Sequence, residues 1–406
     1  MRVEKLLALL PAELLWELAI ETKVDRYAKK LQGEVLFRLL LYCLITTKES
    51  SLRSIASAYE SSLFGALNTT YGKGTVRYNS ISERLSTINA DYFKKLFEHC
   101  VSAYKDTIGT TDTERLLRFD STVVSLSGKL LDIGYSLKGS TSDHLRLLKF
   151  TIGLGNIPEA ASFYSEAQYN SENIALKKTI LQTHRQTDNN KEEEEGPAEI
   201  KVFDRGITSR ATYDVLTGQG IAFVSRINAG AAHTALSQNR LGEPIIVDGL
   251  CISEDIDVAL FGNQGKLKTK SYLRCIKAKV VKEGKAHGKE LWFVTNIGAQ
   301  HLSAVQVAQV YKRRWDIEVF FKFLKSHLNF SHLLSRSENG VGVMMYVTLI
   351  AAILVMAYKK LTGQRGFKLA KQRLAQELET EILKTIIILC GGNPELLHKI
   401  LPQNSS

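Results

Sequence analysis

From Val341 to Tyr358 the chain reads VGVMMYVTLIAAILVMAY, eighteen residues without a charge. Water tolerates such a helix only if it is covered on every side. The run sits at the short limit of a membrane span, which needs about 17–25 apolar residues, and no second run of this kind exists. We therefore expect a core helix, covering the inner face of a parallel-containing sheet. With 406 residues, 44% of them hydrophobic, the chain is long enough to bury such a helix within two or three domains. Five scattered cysteines without a C-x-x-C pair argue against a disulfide framework and a zinc site, and suit a reducing cytoplasm. Nothing at the N-terminus reads as an export signal, so a cytoplasmic location is expected. No P-loop, Gly-rich dinucleotide loop or internal repeat is present.

Just upstream lies YKRRWDIEVFFKFLK, in which Tyr311, Arg314, Glu318 and Lys325 sit at offsets of 0, 3, 7 and 14. On an α-helix advancing about 100° per residue, all four share a stripe about 60° wide. Ile317, Phe320, Phe321, Leu324 and Leu328 form the apolar face beside it. A planar Arg fork, a Lys charge and a Tyr hydroxyl suit a phosphodiester, and the lone Glu suits a divalent cation bridging to that phosphate. A plain i,i+4 ion pair between Arg314 and Glu318 is the bland alternative.

One Glu alone does not complete the oxygen ligands of a divalent cation, so partner carboxylates are sought upstream. RLLRFDSTVVSL alternates with period two and puts Asp120 on the face opposite Phe119. AEIKVFDRGITSR runs a short buried strand through Ile200, Val202 and Phe203 into Asp204 and then a turn at Gly206. Taken singly, each Asp could be a cap or turn residue. Asp120, Asp204 and Glu318 together are the candidate catalytic and metal-ligating set.

The spacing Y-x-x-R-x-x-x-E-x-x-x-x-x-x-K resembles the YREK signature of the bacterial insertion-sequence transposases of family four. These are DDE enzymes with a ribonuclease-H-like core, and the resemblance implies that Asp120, Asp204 and Glu318 hold two Mg²⁺ ions, with Mn²⁺ expected to substitute. The resemblance implies an α/β fold with a mixed-sheet catalytic core interrupted by a β-rich insertion and preceded by an all-helical domain. It also implies cut-and-paste transposition through hairpin ends, with a homodimer on double-stranded DNA comprising its inverted-repeat ends and target. Arg226 matches a family arginine that contacts the transposon end, although a solvated strand-end Arg reads the same way. Trp292, in LWFVTNI, is similar to a Trp that stacks on a flipped base, with core packing in a strand as the alternative.

The interval from Asp204 to Glu318 is too long for a simple strand-to-helix return, so something is inserted there. From Lys266 to Lys289 nine basic residues face one acid, Glu283, within a chain of net charge +11. Lys268, Lys270 and Arg274 fall on one face of a strand, so a β-ribbon presenting cations to DNA phosphates is expected; edge lysines that block aggregation would account for only a few of them. We thus expect a helical end-binding domain over 1–112, core over 113–228, the basic insertion over 229–299, core again over 300–358 and a helical segment over 359–406. In the first of these, a turn containing Lys73, Arg77 and Tyr78 joins two short helices that could read DNA; Ser51 and Asn79-Ser80 look like helix N-caps. His144 reads as structural, and the acidic stretch 187–200 as a solvated loop. Two other readings stay open: a transposase-derived metal-dependent nuclease, or an inactive DNA-binding protein.

Overall fold

The computed structural model describes residues 2–7, 9–48, 50–68, 74–108, 115–127, 134–135, 145–184, 197–262, 269–282, 285–335 and 337–399. His144, Lys268, Lys73 and most of the acidic stretch lie outside these residues. The chain divides into two compact units: Met1–Thr110, Ser127–Ile133 and Lys322–Ser406 form one, and Thr111–Leu126 with Gly134–Phe321 form the other.

The first unit is helical. Its N-terminal part holds α1 (Arg2–Leu7), α2 (Ala12–Thr22), α3 (Gly33–Thr46), α4 (Leu52–Tyr59), α5 (Ser62–Leu67), α6 (Tyr78–Thr87) and α7 (Ala90–Ile108). Ser51 caps α4 as expected, in a reciprocal capping box with Ser54. The cap expected at Asn79-Ser80 is displaced: α6 starts at Tyr78 behind Arg77, which makes no side-chain cap bond, so both residues lie within its first turn.

The uncharged run is the middle of α12 (Glu338–Thr362). Its apolar window is 89% buried, and it is the one helix among the described residues long and apolar enough to cross a membrane. The cover differs from expectation. It packs on α7, α3, α6 and α1 and on α13 (Phe367–Leu389), all helices of its own unit. An apolar surface that runs all the way round needs neighbours on all sides, and a bundle supplies them as well as a sheet does. Gly363 ends α12 in the left-handed region at φ 65°, its N–H turned back to Lys359 and Lys360.

Among the described residues, the second unit is built on a ten-stranded mixed sheet. In chain order it contains β1 (Arg115–Ser127), β2 (Leu145–Leu154), β3 (Pro158–Tyr164), α8 (Glu172–Thr183), β4 (Glu199–Phe203), α9 (Arg210–Gly218) and β5 (Phe223–Ile227). There follow β6 (His233–Ala235), β7 (Ile245–Val247), β8 (Leu250–Leu260), β9 (Leu273–Lys282), β10 (Lys285–Thr295) and α10 (Ala304–Lys312). The strands lie in the order β3-β2-β1-β4-β5-β10-β9-β8-β6, with β7 on β8. β1, β4 and β5 are parallel to their neighbours in that trio, and β10 joins β5 antiparallel. The strands β6–β10, which fall in the segment expected as an insertion, therefore continue the same sheet.

Period-two alternation sorts the side chains into two cores. Phe119, Phe203, Phe223, Val294 and Trp292 pack with Leu176 and Ile180 of α8 and Tyr213 and Leu216 of α9. Leu116, Ile200, Val202, Val224 and Phe293 pack with Val307, Ala308 and Val310 of α10 on the other face. Parity then assigns Asp120 and Arg226 to the α10 face; Asp204, one residue beyond β4, follows Val202 in parity.

Candidate active site

The helix expected to run unbroken from Tyr311 to Lys325 is two helices. α10 stops at Lys312, and α11 (Trp315–His327) begins after a turn at Arg313 and Arg314. There the hydrogen bonds tighten to i→i+3: Arg314 N donates to Tyr311 O, Asp316 N to Arg313 O and Ile317 N to Arg314 O. No Gly or Pro marks this turn, so helix periodicity alone could not locate it. Tyr311 thus closes α10, Arg314 occupies the turn, and Glu318 lies in the first turn of α11.

The turn aims these side chains at the carboxylates on the sheet. The Tyr311 hydroxyl donates to Asp204 Oδ1 at 2.7 Å, and its ring lies 5.0 Å from that of Phe293. The Arg314 guanidinium reaches Asp120 Oδ2 at 3.5 Å through one terminal nitrogen and Glu318 through the other. Its Nε is buried and makes no hydrogen bond. Arg226 Nη2 approaches Asp204 Oδ1 at 3.5 Å. One layer out, Arg118, two residues before Asp120, is buried; it pairs with Asp316 at 3.3 Å and donates to Gly155 O at 3.0 Å, fastening the start of α11 to β1.

The two aspartates differ electrostatically. Burial pushes the Asp120 carboxyl up to about 6; the Ser121 amide and Arg314 oppose this, while Glu172 and Asp204 add to it. Asp204 is also raised by burial, but the Tyr311 hydroxyl, the Arg205 amide, Arg226 and Arg314 outweigh that and hold it below the usual carboxylate value. Three carboxylates are the oxygen donor set of a hard divalent cation. Among the described residues, however, no three Asp, Glu, His or Cys side chains gather closely enough to hold one ion. Asp120 and Glu318 meet the two arms of Arg314 instead.

The remaining expected contacts separate. Lys325 is exposed about two turns beyond Glu318 on α11. Arg77 is exposed, and Tyr78 lies under the Arg53 guanidinium at 5.3 Å. Lys270 is exposed. Two expectations are corrected. Arg274 is 3% exposed: its guanidinium binds both oxygens of Asp255 and also Leu302 O, so it is a buried ion pair and not a phosphate contact. Trp292 is 7% exposed and lies on the α8–α9 face, opposite the carboxylates, with Lys277 Nζ over its ring at 4.6 Å and His233 edge-on at 5.2 Å; its faces are filled by protein. Lys277 pairs with Glu254 at 2.8 Å and Lys279 with Glu290 at 3.8 Å. Three of the nine charges that look unopposed along the sequence thus meet acids supplied by neighbouring strands.

Four residues near the site carry no sequence signal that singles them out: Arg118, Lys149, Glu172 and Asn173. Each acts through contacts distant in sequence.

Residues 165–354 match the family described as the transposase DDE domain, a span that takes in Asp204 and Glu318 and begins downstream of Asp120. A protein of Synechocystis named "Putative transposase for insertion sequence element IS4SA" is 35% identical over 71 residues, covering 16% of this chain and 21% of that one. "Putative transposase y4zB" of Sinorhizobium fredii is 27% identical over 154 residues, covering 38% and 41%. "Probable transposase for insertion sequence element IS5377" of Geobacillus stearothermophilus is 37% identical over 70 residues, covering 17% and 18%. The chain thus spans between about a fifth and two fifths of these relatives' lengths. Over a stretch that includes Asp204 and Glu318, this protein is similar to the transposase DDE domain, and over shorter stretches to proteins named as transposases.

Proposed function

We propose that the chain is a DNA transposase of the YREK type, cutting and joining the ends of its own element. The observation that carries this reading is the meeting of Tyr311, Arg314 and Glu318 with Asp120 and Asp204, residues drawn from three separate stretches of sequence onto one face of the sheet. Asp120, Asp204 and Glu318 are the carboxylates that would hold two Mg²⁺ ions, with Mn²⁺ as a substitute; bound ions of this kind activate an attacking hydroxyl and stabilise the leaving oxygen. Gathering the carboxylates requires Arg314 to leave Asp120 and Glu318. Its fork, including the Nε that makes no hydrogen bond here, is then free for a DNA phosphate, which a planar donor set binds in two places. Tyr311 keeps Asp204 oriented, and Arg226 and Lys325 add cations along the DNA path. Cutting through hairpin ends, a homodimer on the DNA and action in the cytoplasm complete the reading.

The test uses DNA carrying the inverted repeats that flank the gene. Asp120→Ala, Asp204→Ala and Glu318→Ala should each abolish strand cleavage in Mg²⁺ and leave end binding largely intact; a variant that cuts near the wild-type rate removes that residue from the site. Ca²⁺ should support binding without cleavage, because its coordination is looser. Hairpin products on denaturing gels separate transposition of this type from simple hydrolysis, the mark of a nuclease. Binding without any cleavage by the wild type would favour the inactive DNA-binding protein.

A further inference from the structure

Asp204 lies one residue beyond β4, so nothing in the sheet ladder fixes it, and the loop after it needs a holder. The helix α8 contacts that loop at three points, two of them in its first turn. Asn173 Oδ1 accepts from the amides of Thr208 at 2.7 Å and Ser209 at 2.9 Å, and its Nδ2 donates to Thr208 Oγ1 at 2.9 Å. The Glu172 side chain lies over Gly206, filling the space where a Cβ would stand. Ile207 enters the same buried cluster as Leu176 and Ile180 of α8. The turn is itself anchored to β2: buried Lys149 donates to Asn170 O at 2.9 Å and stands 3.9 Å from Glu172. Glu172 is also close enough to act on the charge of Asp120.

We infer that the first turn of α8, through Glu172 and Asn173, is a clamp that sets the direction of the Asp204 carboxylate relative to Asp120 by holding residues 205–209. These are positioning residues for the proposed reaction, and the role in catalysis rests on that reading. The clamp itself does not. A side chain that satisfies two consecutive backbone amides in a solvent-facing loop replaces the hydrogen bonds a ladder would supply. A group displaced by as little as about 1 Å can lose roughly 100-fold in rate.

The experiment compares Asn173→Leu with Asn173→Asp in the full chain. Asp keeps an oxygen for both amides and Leu keeps neither. Hydrogen exchange at Thr208 and Ser209 should speed up by roughly 10-fold or more in Asn173→Leu and stay near wild type in Asn173→Asp. Cleavage of DNA bearing the flanking inverted repeats, measured at saturating DNA, should fall roughly 10- to 100-fold in Asn173→Leu, recover in Asn173→Asp, and leave the DNA dissociation constant unchanged in both. Gly206→Ala evicts the Glu172 side chain, so the double variant with Glu172→Ala should be no slower than Gly206→Ala alone. Unchanged exchange at both amides in Asn173→Leu overturns the clamp. Faster exchange with an unchanged cleavage rate overturns its positioning role. A wild type that never cleaves defeats the transposase reading, while the exchange result still decides whether the clamp exists.

Discussion

Tyr311 shows how one hydroxyl sets apart two carboxylates on the same face. Burial raises both aspartates, but only Asp204 receives a phenolic hydrogen bond and stays low. A carboxyl whose folded value lies below its unfolded value, about 3.9, adds stability above that value and loses it as pH falls through the folded one. Tyr311→Phe should therefore destabilise the protein by about 1 kcal/mol at neutral pH, allowing for the partial exposure of Asp204. The gap from wild type should shrink below about pH 4, as denaturant midpoints at pH 7, 4 and 3 would show; a gap constant down to pH 3 would mean the bond is not to a charged group. At this scale the sequence was readable where a residue type met a period: Asp120 opposite Phe119 on β1, and Asp204 at the end of an apolar run. Glu172 and Asn173 were not readable, because what makes them matter is a loop more than thirty residues away.

Among elements, the strands between residues 229 and 299 carried a charge count that misled. Arg274 was assigned to DNA from its neighbours in sequence, but strand pairing sets it beside Asp255 of β8. Arg274→Ala should cost about 3 kcal/mol, because it strands a buried carboxylate, and Asp255→Ala in the same chain should restore part of it. DNA affinity should keep its salt dependence, whereas a fall in slope of about 0.9 would reinstate a phosphate contact. A second cation serves helices. Lys371 on α13 donates to Thr47 O at the C-cap of α3 and to His327 O at the end of α11, two places where carbonyls are left unpaired and the helix dipole is negative. Burial pushes its ammonium down to about 8. Between there and the ordinary lysine value near 10.4 the unfolded chain holds a proton that the folded protein has shed, so stability rises with pH. Lys371→Met should lack that rise: from pH 8 to pH 10 the wild type should gain on the variant in urea midpoint, and a difference flat across this range would contradict the assignment. The break between α10 and α11 escaped sequence reading for a related reason, since tertiary contacts to Asp204 and Asp120 accompany it and no breaker residue marks it.

For the whole molecule, the α/β class and the presence of a helical N-terminal part were legible from patterning, and the grouping of segments was not. Residues 1–112 looked separable because their patterning is helical and strand patterning begins only at RLLRFDSTVVSL. Residues 1–110 share one compact unit with 322–406, and α12 fills the space among α7, α3 and α6. A fragment of residues 1–110 alone should consequently be helical by circular dichroism yet lack cooperative melting and bind a hydrophobic dye, because the buried faces of α3 and α7 lose their cover; a sharp two-state transition in that fragment would refute the shared core. The same arrangement sets a clock on biosynthesis. Roughly 230 residues separate the end of α7 from the start of α12, which at about 5–20 residues per second keeps the first helices waiting on the ribosome for roughly 10–45 s. Throughout that interval their apolar faces are open to chaperones, proteases and one another. A message cut short before α12 would yield chains with no finished N-terminal unit at all.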